Sequence, residues 1–342
     1  MDMEFERKLP IPMEVKEMFP LEKKVADTVE KKVAQIKKII SGKDSRKLLI
    51  IGPCSADNED SVTDYVSRLV PVQEKVSEKL LIVPRVYTNK PRTTGEGYKG
   101  LLHQPDPGKK PDLFKGIIAT RELHMRVVKE TGFACADEML YTENHKYIDD
   151  LVAYITVGAR SVEDQQHRLT ASGLGIPVGM KNPTSGDVSV MLNSIHAAQS
   201  GHSFIYRGWA VHSQGNPYAH AILRGLNYRN GKHVPNYKYD DLCAIVEEYE
   251  KEELMNPSII IDTNHSNSGK NPFKQPDIVM DVLESARKNV SIDKYVKGFM
   301  IESYIEDGCQ KIGEGVYGKS ITDPCLGIEK TIDMIYRIAD SL

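Results

Sequence analysis

Short apolar runs alternate with longer stretches of helical periodicity along most of the chain. Several runs, such as 48–51 (LLII), are apolar without interruption, which is typical of parallel strands covered on both faces. The predicted strands are 48–51, 80–86, 133–136, 153–157, 177–180, 204–206, 258–261 and 298–301. Apolar residues recur every three to four positions between them, and the predicted helices are 61–76, 117–131, 141–150, 162–171, 185–199, 239–253, 277–288 and 327–341.

This alternation predicts successive right-handed β–α crossovers and a protein of the α/β class. About eight strands fit a closed (β/α)₈ TIM barrel better than an open, doubly wound sheet. Neither G-x-G-x-x-G nor the P-loop pattern follows any predicted strand, which argues against dinucleotide-binding and P-loop proteins. Residues 46–342 are therefore predicted to form one catalytic barrel.

Two segments fall outside the repeating pattern. Residues 1–45 precede the first strand and are predicted to form an N-terminal arm with a charged helix near 21–40. This arm is expected to cap the barrel or to contact another subunit. Residues 209–237 are rich in Gly, Asn, Pro and His, and they are predicted to form a short insertion after strand six.

Composition excludes several classes of protein. The chain has 342 residues and a formal net charge of −3, which gives no footprint for nucleic acid or an anionic membrane. No apolar run approaches the roughly 20 residues that span a bilayer, and the first residues lack the apolar core of a signal peptide. The five cysteines include no C-x-x-C pair, so we expect a reducing, cytoplasmic location.

Residues just past the carboxyl ends of barrel strands share one face, and that face carries the active site. Almost every such position here is ionisable or able to bind a metal. The residues are Cys54, Arg85, Glu138, Arg160, Lys181, Arg207, His265, Glu302 and Asp323. Each alone is easily explained as solvated surface, but a whole rim of such residues is not.

One subset of the rim offers metal ligands. Cys54 follows the first strand directly, and the sequence leaves four interpretations open for it: nucleophile, metal ligand, half of a disulfide or small core residue. Together with His265, Glu302 and Asp323 it would supply one sulfur, one nitrogen and two carboxylates. That mixture suits one divalent first-row ion such as Mn²⁺, Fe²⁺, Co²⁺ or Zn²⁺. The alternative is a core cysteine and three unrelated polar residues.

A second subset is cationic. Its members are Arg85, Lys90, Arg92, Arg160, Lys181 and Arg224. Arginine binds phosphate and carboxylate in a fork, and lysine binds them as a point charge. This set predicts a small polyanionic substrate, and the alternative for the segment around Lys90 is a solvated basic turn. The sequence assigns no clear role to His103, His167, His212 and His220.

With these residues in place, the chain resembles type I 3-deoxy-D-arabino-heptulosonate 7-phosphate (DAHP) synthase, and within it the larger bacterial and fungal subgroup. The motifs are GPCS at 52–55, RVYTNKPRTT at 85–94, GAR at 158–160, PVGMKN at 177–182, ILRG at 222–225, DTNHSNS at 262–268, ES at 302–303 and GKSITDPC at 318–325. They are long, in order and spread over nearly the whole chain. The family fold is a (β/α)₈ barrel, in agreement with the strand count.

The resemblance implies condensation of phosphoenolpyruvate with erythrose 4-phosphate at the entry to the shikimate pathway. By similarity, the metal ligands are Cys54, His265, Glu302 and Asp323. Phosphoenolpyruvate would be bound by Arg85, Lys90, Arg160, Lys181 and Arg224, with Glu138 near its phosphate. The sugar phosphate would contact Arg92 and Thr93. Lys181 would act as proton donor or electrostatic stabiliser, and the reaction requires no covalent bond to Cys54.

The segment FIYRGWAVHSQGNPYAH, 204–220, departs from the feedback-regulated relatives. Their hairpin is longer and lines a pocket for an aromatic amino acid, with a small hydroxyl residue where this chain has Tyr206. We therefore expect this pocket to be missing or filled and the enzyme to be insensitive to Phe, Tyr and Trp. Because the hairpin often contributes to subunit packing, we expect a homo-oligomer, with a dimer favoured over a tetramer.

Three other functions remain open at this level. One is the sister 3-deoxy-octulosonate 8-phosphate synthase, with arabinose 5-phosphate as acceptor; KPRTT at 90–94 favours the four-carbon sugar. Compared with the family pattern, the segment PRTTGEGYKG, 91–100, contains one extra residue, which also bears on the identity of the aldehyde acceptor. The others are a non-catalytic sensor of metal and phosphate and a metal-dependent retro-aldolase.

Overall fold

A parallel eight-stranded barrel forms the centre of the molecule. The computed structural model describes residues 2–92, 95–228 and 230–342. Within these residues the barrel strands, numbered one to eight along the chain, are Lys47–Gly52, Leu80–Pro84, Cys135–Glu138, Val152–Val157, Val178–Lys181, Ala219–Leu223, Ile259–Asp262 and Val296–Glu302. Their hydrogen-bonded order is two, one, eight, seven, six, five, four, three. A parallel bridge between Arg85 and Ala136 joins strands two and three, so the predicted (β/α)₈ fold is confirmed.

Helices surround this sheet. The α-helices of the barrel and its loops are Glu59–Val76, Leu113–Thr131, Gln165–Ser172, Val188–Gln199, Tyr239–Lys251, His265–Ser268, Gln275–Lys288, Val290–Tyr295 and Ile328–Ser341. Seven of them correspond to predicted helices, whereas the short helices His265–Ser268 and Val290–Tyr295 were not predicted. The helix predicted at 141–150 is wrong, because the structure has only a 3₁₀ turn there, Asn144–Tyr147. Alternate strand residues such as Leu49 and Ile51 pack outward against these helices. Residues over the whole length of strands one and two are buried, as their unbroken apolar runs predict.

The barrel interior and the N-terminal arm share a second buried cluster. Two helices, Pro12–Met18 and Lys23–Ile40, precede the first strand. Ile36, Ile39 and Ile40 of the longer helix belong to the same cluster as the inward-facing Leu48 and Ile50. The helix therefore covers the amino-terminal end of the barrel, where apolar residues between the strands would otherwise meet water. The division at residue 45 stays a prediction.

The position predicted for strand six is wrong. Ser203–Tyr206 pairs antiparallel with Trp209–His212 in a hairpin outside the barrel. The true sixth strand, Ala219–Leu223, is buried over its whole length, whereas Ile205 of the hairpin is 78% exposed. The short run FIY has the local pattern of a buried strand, and the true strand was hidden in a segment rich in His, Asn and Gly.

The predicted insertion at 209–237 is therefore divided by a barrel strand. The larger hairpin precedes strand six, and a small hairpin of Leu226–Asn227 and His233–Val234 follows it. Arg207 lies at the turn of the larger hairpin, exposed and with a φ of +53°. It does not belong to the barrel rim, and Arg224 occupies the position after strand six.

The unassigned histidines mostly have structural roles. His220 lies fully buried on strand six, where its Nε2 is 2.7 Å from the Tyr154 hydroxyl. Burial lowers the pKa of His220 to about 4, so the ring is neutral in the folded protein. His167 Nδ1 is 2.6 Å from Asp164 Oδ2 at the start of its helix. His103 contacts the Tyr141 hydroxyl, and His212 is exposed on the hairpin.

Candidate active site

A polar cavity of about 140 Å³ opens at the carboxyl ends of the barrel strands. Its lining contains most of the residues that the sequence placed on the rim or in the cationic set. These are Cys54, Arg85, Lys90, Arg92, Glu138, Arg160, Lys181, Arg224, His265 and Asp323. Glu302 is buried beside it, in contact with Arg85. Thr93 lies outside the described residues. The strand ends position this set because a parallel barrel directs all its carboxyl ends to one side.

Three of the four predicted metal ligands form a tight cluster. One donor atom each from Cys54, Glu302 and Asp323 lies within 4.8 Å of the others. Cys54 Sγ is 3.6 Å from Asp323 Oδ2. Neighbouring side chains fix Glu302: Arg85 Nη2 donates to its Oε1 at 2.8 Å, and Asn264 Nδ2 donates to its Oε2 at 2.5 Å.

His265 lies at the edge of this cluster. Its Nε2 is 3.8 Å from Glu302 Oε1, and its Nδ1 is 2.8 Å from Asp262 Oδ2. The residue has a φ of +42°, in the left-handed region that non-glycine residues rarely adopt. Such a backbone conformation is retained only where the surroundings enforce it, and it is common at functional sites.

A cation already lies among these donors. The Lys90 ammonium contacts Cys54 Sγ and is 3.3 Å from Asp323 Oδ2, and Lys270 Nζ is 3.1 Å from Asp323 Oδ1. The sulfur and carboxylate oxygens therefore converge on a position that favours positive charge. One thiol, one imidazole and two carboxylates are donors that first-row divalent ions accept, so the residues fit such an ion.

Burial and charge set the protonation of the cluster. Burial, helped by the Glu302 charge, raises the pKa of the Cys54 thiol to about 11. Burial would also raise the pKa of Asp323, but the Lys90 and Lys270 ammonium groups hold it well below its usual range. Arg85 likewise outweighs the burial of Glu302 and lowers its pKa. The carboxylates are thus charged, and a bound metal ion would release the thiol proton.

Two buried guanidinium groups retain free hydrogen-bond donors. Arg85 and Arg224 are 2% and 6% exposed. Among the described residues, no acceptor lies within hydrogen-bonding reach of Arg85 Nη1 or Arg224 Nη1. A buried N–H without a partner is costly, so these donors are expected to be satisfied by an anionic ligand. Lys181, also buried, and the exposed Arg160 extend the cationic wall.

Three buried asparagines hold the backbone at Arg224. Asn182 Oδ1 accepts from Arg224 N at 2.9 Å, and Asn236 Oδ1 accepts from Gly225 N at 2.8 Å. Asn267 in turn accepts from Asn236 N at 2.9 Å. These bonds connect the end of strand five to the loop after strand seven. They hold the backbone segment that carries the Arg224 side chain.

Sequence reasoning missed several residues of the site. Asp262, Lys270, Asn264 and Gln275 contact predicted ligands or cations but were assigned no role. Asp262 was detectable, because a carboxylate three residues before a rim histidine at a strand end is placed to orient that ring. Gln275 bonds both backbone groups of Glu302 from a helix 27 residues away in sequence, and local sequence carries no sign of that contact.

Fold and site together define a (β/α)₈-barrel enzyme whose rim combines anion-binding cations with metal-type donors. A profile described as the DAHP synthetase I family matches residues 23–335. The phenylalanine-sensitive phospho-2-dehydro-3-deoxyheptonate aldolase of Escherichia coli is 36% identical over 99% of this chain and 95% of its own. A phospho-2-dehydro-3-deoxyheptonate aldolase of Corynebacterium glutamicum is 35% identical over 89% and 83%.

A solved structure gives the same result. The phospho-2-dehydro-3-deoxyheptonate aldolase of Francisella tularensis superimposes with a TM-score of 0.92 at 32% identity, covering 99% of this chain and 98% of that chain. The chain belongs to the DAHP synthetase I family. Enzymes of this family are generally metal-dependent, in keeping with the donor cluster.

Proposed function

We propose that this protein condenses phosphoenolpyruvate with erythrose 4-phosphate to give DAHP and phosphate, the first step of the shikimate pathway. Family membership supports this function. The observation that carries it is the cavity in which unpaired buried guanidinium donors lie beside a thiol–carboxylate cluster. Anion binding and a Lewis-acid site are the two requirements of an aldol-type reaction between two phosphorylated substrates.

Metal binding is assigned to Cys54, His265, Glu302 and Asp323. One divalent ion held there (Mn²⁺, Fe²⁺, Co²⁺ or Zn²⁺) would polarise the aldehyde of the acceptor. Arg85 bridges this group and the cavity, because it contacts Glu302 while its Nη1 remains free. His265 presents Nε2 toward the same cluster.

Phosphoenolpyruvate binding is assigned to the cationic wall of Arg85, Lys90, Arg160, Lys181 and Arg224, with Glu138 near the phosphate. Gly158 leaves space for the Glu138 side chain, since a Cβ there would lie 2.3 Å from Glu138 Oε1. Arg92 and Thr93 would bind the phosphate of the sugar. Holding two anions side by side removes the repulsion that separates them in water.

The bond changes then follow from this placement. Carbon 3 of phosphoenolpyruvate attacks the aldehyde carbon and forms the new C–C bond. Water adds at carbon 2, and phosphate leaves by cleavage of its C–O bond. Lys181 Nζ would supply a proton or stabilise the charge that develops at the reacting carbons.

An absorbance assay combined with mass analysis of the product tests the proposal. Loss of phosphoenolpyruvate absorbance is measured with erythrose 4-phosphate, with and without a chelator, and the product is identified by mass. We expect turnover that the chelator abolishes, and we expect Cys54→Ala to lose activity and bound metal together. Cys309→Ala, at an exposed cysteine, is the matched control. Full activity in Cys54→Ala or in chelator would contradict the metal assignment, and preference for arabinose 5-phosphate would contradict the acceptor.

We also propose that aromatic amino acids do not regulate the enzyme. The corresponding pocket is not simply missing, because a cavity of about 420 Å³ lies between the larger hairpin and helix Gln165–Ser172. Tyr206 lines it, donates to the Thr142 carbonyl at 2.9 Å and packs edge-on against Phe204. The anchored phenol occupies the position at which the feedback-regulated relatives are expected to have a small hydroxyl residue. Titration of Phe, Tyr and Trp in the assay tests this, and strong inhibition by any of them would refute it.

Two exposed apolar side chains of the larger hairpin support self-association. Ile205 and Trp209 are 78% and 75% exposed, one on each face of the hairpin, and large apolar side chains left in contact with water can mark interaction sites. We propose a homodimer, to be measured by sedimentation velocity; a monomer or a tetramer would contradict it. No helix within the described residues is long and apolar enough to cross a membrane. Phosphorylated substrates and unpaired cysteines favour a cytoplasmic site of action.

A further inference from the structure

Asp262 is a buried carboxylate that joins the two halves of the candidate active site. It ends strand seven and is fully shielded from solvent. Its Oδ1 accepts from Asn264 N at 3.1 Å. Its Oδ2 lies 3.1 Å from Lys181 Nζ and 2.8 Å from His265 Nδ1. One oxygen therefore faces a cation assigned to phosphoenolpyruvate and a ring assigned to the metal.

Asp262 Oδ2 and His265 Nδ1 lie within ion-pair distance but without the angle of a hydrogen bond, and their approach bears on which ring nitrogen is available. A carboxylate beside Nδ1 favours the tautomer with the proton on Nδ1, which leaves the lone pair on Nε2. Nε2 is the nitrogen on the side of Glu302. The backbone helps to hold this orientation, since Lys270 N donates to the His265 carbonyl at 2.8 Å.

The contact with Lys181 acts on the other side of the cavity. Lys181 ends strand five and is 3% exposed. A buried ammonium requires a compensating charge, and Asp262 supplies it. Because a lysine stem has four rotatable bonds, the contact also limits where Nζ can lie.

We propose that Asp262 is a positioning residue that fixes His265 Nε2 toward the metal ligands and Lys181 Nζ toward the reacting carbons. This inference rests on the proposed function. Asp262 itself lies outside the lining of the cavity, so its effect is exerted through its two partners.

Metal affinity gives a readout that does not depend on turnover. The full chain is freed of metal with a chelator, and free Mn²⁺ is followed by electron paramagnetic resonance during titration. Asp262→Asn is expected to weaken Mn²⁺ binding by roughly 10- to 100-fold, the usual effect of losing the carboxylate behind a ligating histidine. Binding at wild-type affinity would overturn the inference.

The chain contains a matched control. Asp164 and His167 have the same spacing in sequence, and Asp164 Oδ2 is 2.6 Å from His167 Nδ1. This pair lies at the start of helix Gln165–Ser172. Asp164→Asn should therefore leave Mn²⁺ affinity unchanged. An equal loss of affinity in both variants would show a general effect of removing a carboxylate and would also overturn the inference.

The Lys181 contact is tested at saturating Mn²⁺. There Asp262→Asn should lower kcat at least tenfold while Asp164→Asn retains it, and wild-type kcat in Asp262→Asn would contradict this half of the inference. If the wild-type protein does not consume phosphoenolpyruvate with erythrose 4-phosphate, the proposed function fails. The Mn²⁺ titration would still decide the role of Asp262.

A measurement on the wild-type protein covers the case in which Asp262→Asn does not fold. Metal-free protein labelled with ¹⁵N-histidine is examined by NMR, and the His265 ring signals are assigned by their loss in His265→Asn. A proton on Nδ1 supports the inference. A proton on Nε2 overturns it.

Discussion

Asp57 shows how burial alone can change the pH dependence of stability. It lies three residues after Cys54, where the Tyr304 hydroxyl donates to its Oδ1 at 3.1 Å. Burial raises the pKa of this carboxyl group to about 6, and the hydrogen bonds only partly oppose the shift. The folded protein thus binds this proton more tightly than the unfolded chain does.

The sign of the effect follows from linkage. Asp57 favours folding most at low pH, and this contribution is lost as the pH rises from about 4 to about 6. Asp57→Asn should therefore be more stable than wild type at pH 8, by on the order of 1–2 kcal/mol after allowance for partial exposure. The difference should disappear near pH 4.

Denaturant unfolding at both pH values measures this difference. Asp27→Asn, which alters an exposed carboxylate on the arm helix, is the control. A less stable Asp57→Asn at pH 8 would contradict the prediction.

At the scale of residues, the sequence predicted which side chains line the site better than it predicted the residues that hold them in place. The rim positions of Cys54, Arg85 and Lys181 followed from where apolar runs end, because strand direction determines which side the next residue faces. Asn236 and Gln275 were unpredictable, since they bond to backbone groups 11 and 27 residues away in sequence. Such contacts depend on how elements pack, and no local pattern records them.

At the scale of elements, the pairing of strand eight with strand one requires a glycine at position 298. Gly298 lies opposite Leu48 of strand one. A Cβ at Gly298 would be 2.1 Å from the Leu48 carbonyl oxygen, and a backbone atom within a sheet cannot move aside easily. Gly298→Ala should therefore destabilise the protein by about 3 kcal/mol or prevent folding.

The control for this substitution is Gly175→Ala. A Cβ at Gly175 would meet nothing within 4 Å, so its melting temperature should stay close to that of wild type. Equal melting temperatures for the two variants would show that strands one and eight can separate at no cost, contrary to the prediction.

The larger hairpin shows where element prediction failed. Apolar runs identified seven of the eight barrel strands within the described residues. At Phe204–Tyr206 the run was too short to reveal its alternating exposure, which distinguishes an edge hairpin from a buried strand. Ala219–Leu223 contains His220, whose hydrogen bond to Tyr154 makes a polar residue acceptable inside the barrel.

At the scale of the molecule, the arm helix Lys23–Ile40 is part of the core. Ile36 is fully buried against residues from inside the barrel. Ile36→Ala should lower the free energy of unfolding by about 2–5 kcal/mol through lost burial and a cavity. The alternative is an arm that folds and unfolds independently.

Thermal and denaturant unfolding distinguish these cases. Lys31→Ala, at an exposed position on the same helix, controls for helix propensity and should change stability by less than about 0.5 kcal/mol. Two separate transitions, or equal stability of the two variants, would mean that the arm is not required by the barrel.

The same helix has a kinetic consequence for the proposed reaction. Apolar side chains fill the barrel interior and the helix covers its amino-terminal end, so reactants and products exchange with solvent only at the rim. Arg85 and Arg224 are almost fully buried, whereas Arg92, which lines the same cavity, is only half-buried. A bound sugar phosphate would then block the route to the inner cations. We therefore expect phosphoenolpyruvate to bind before the aldehyde.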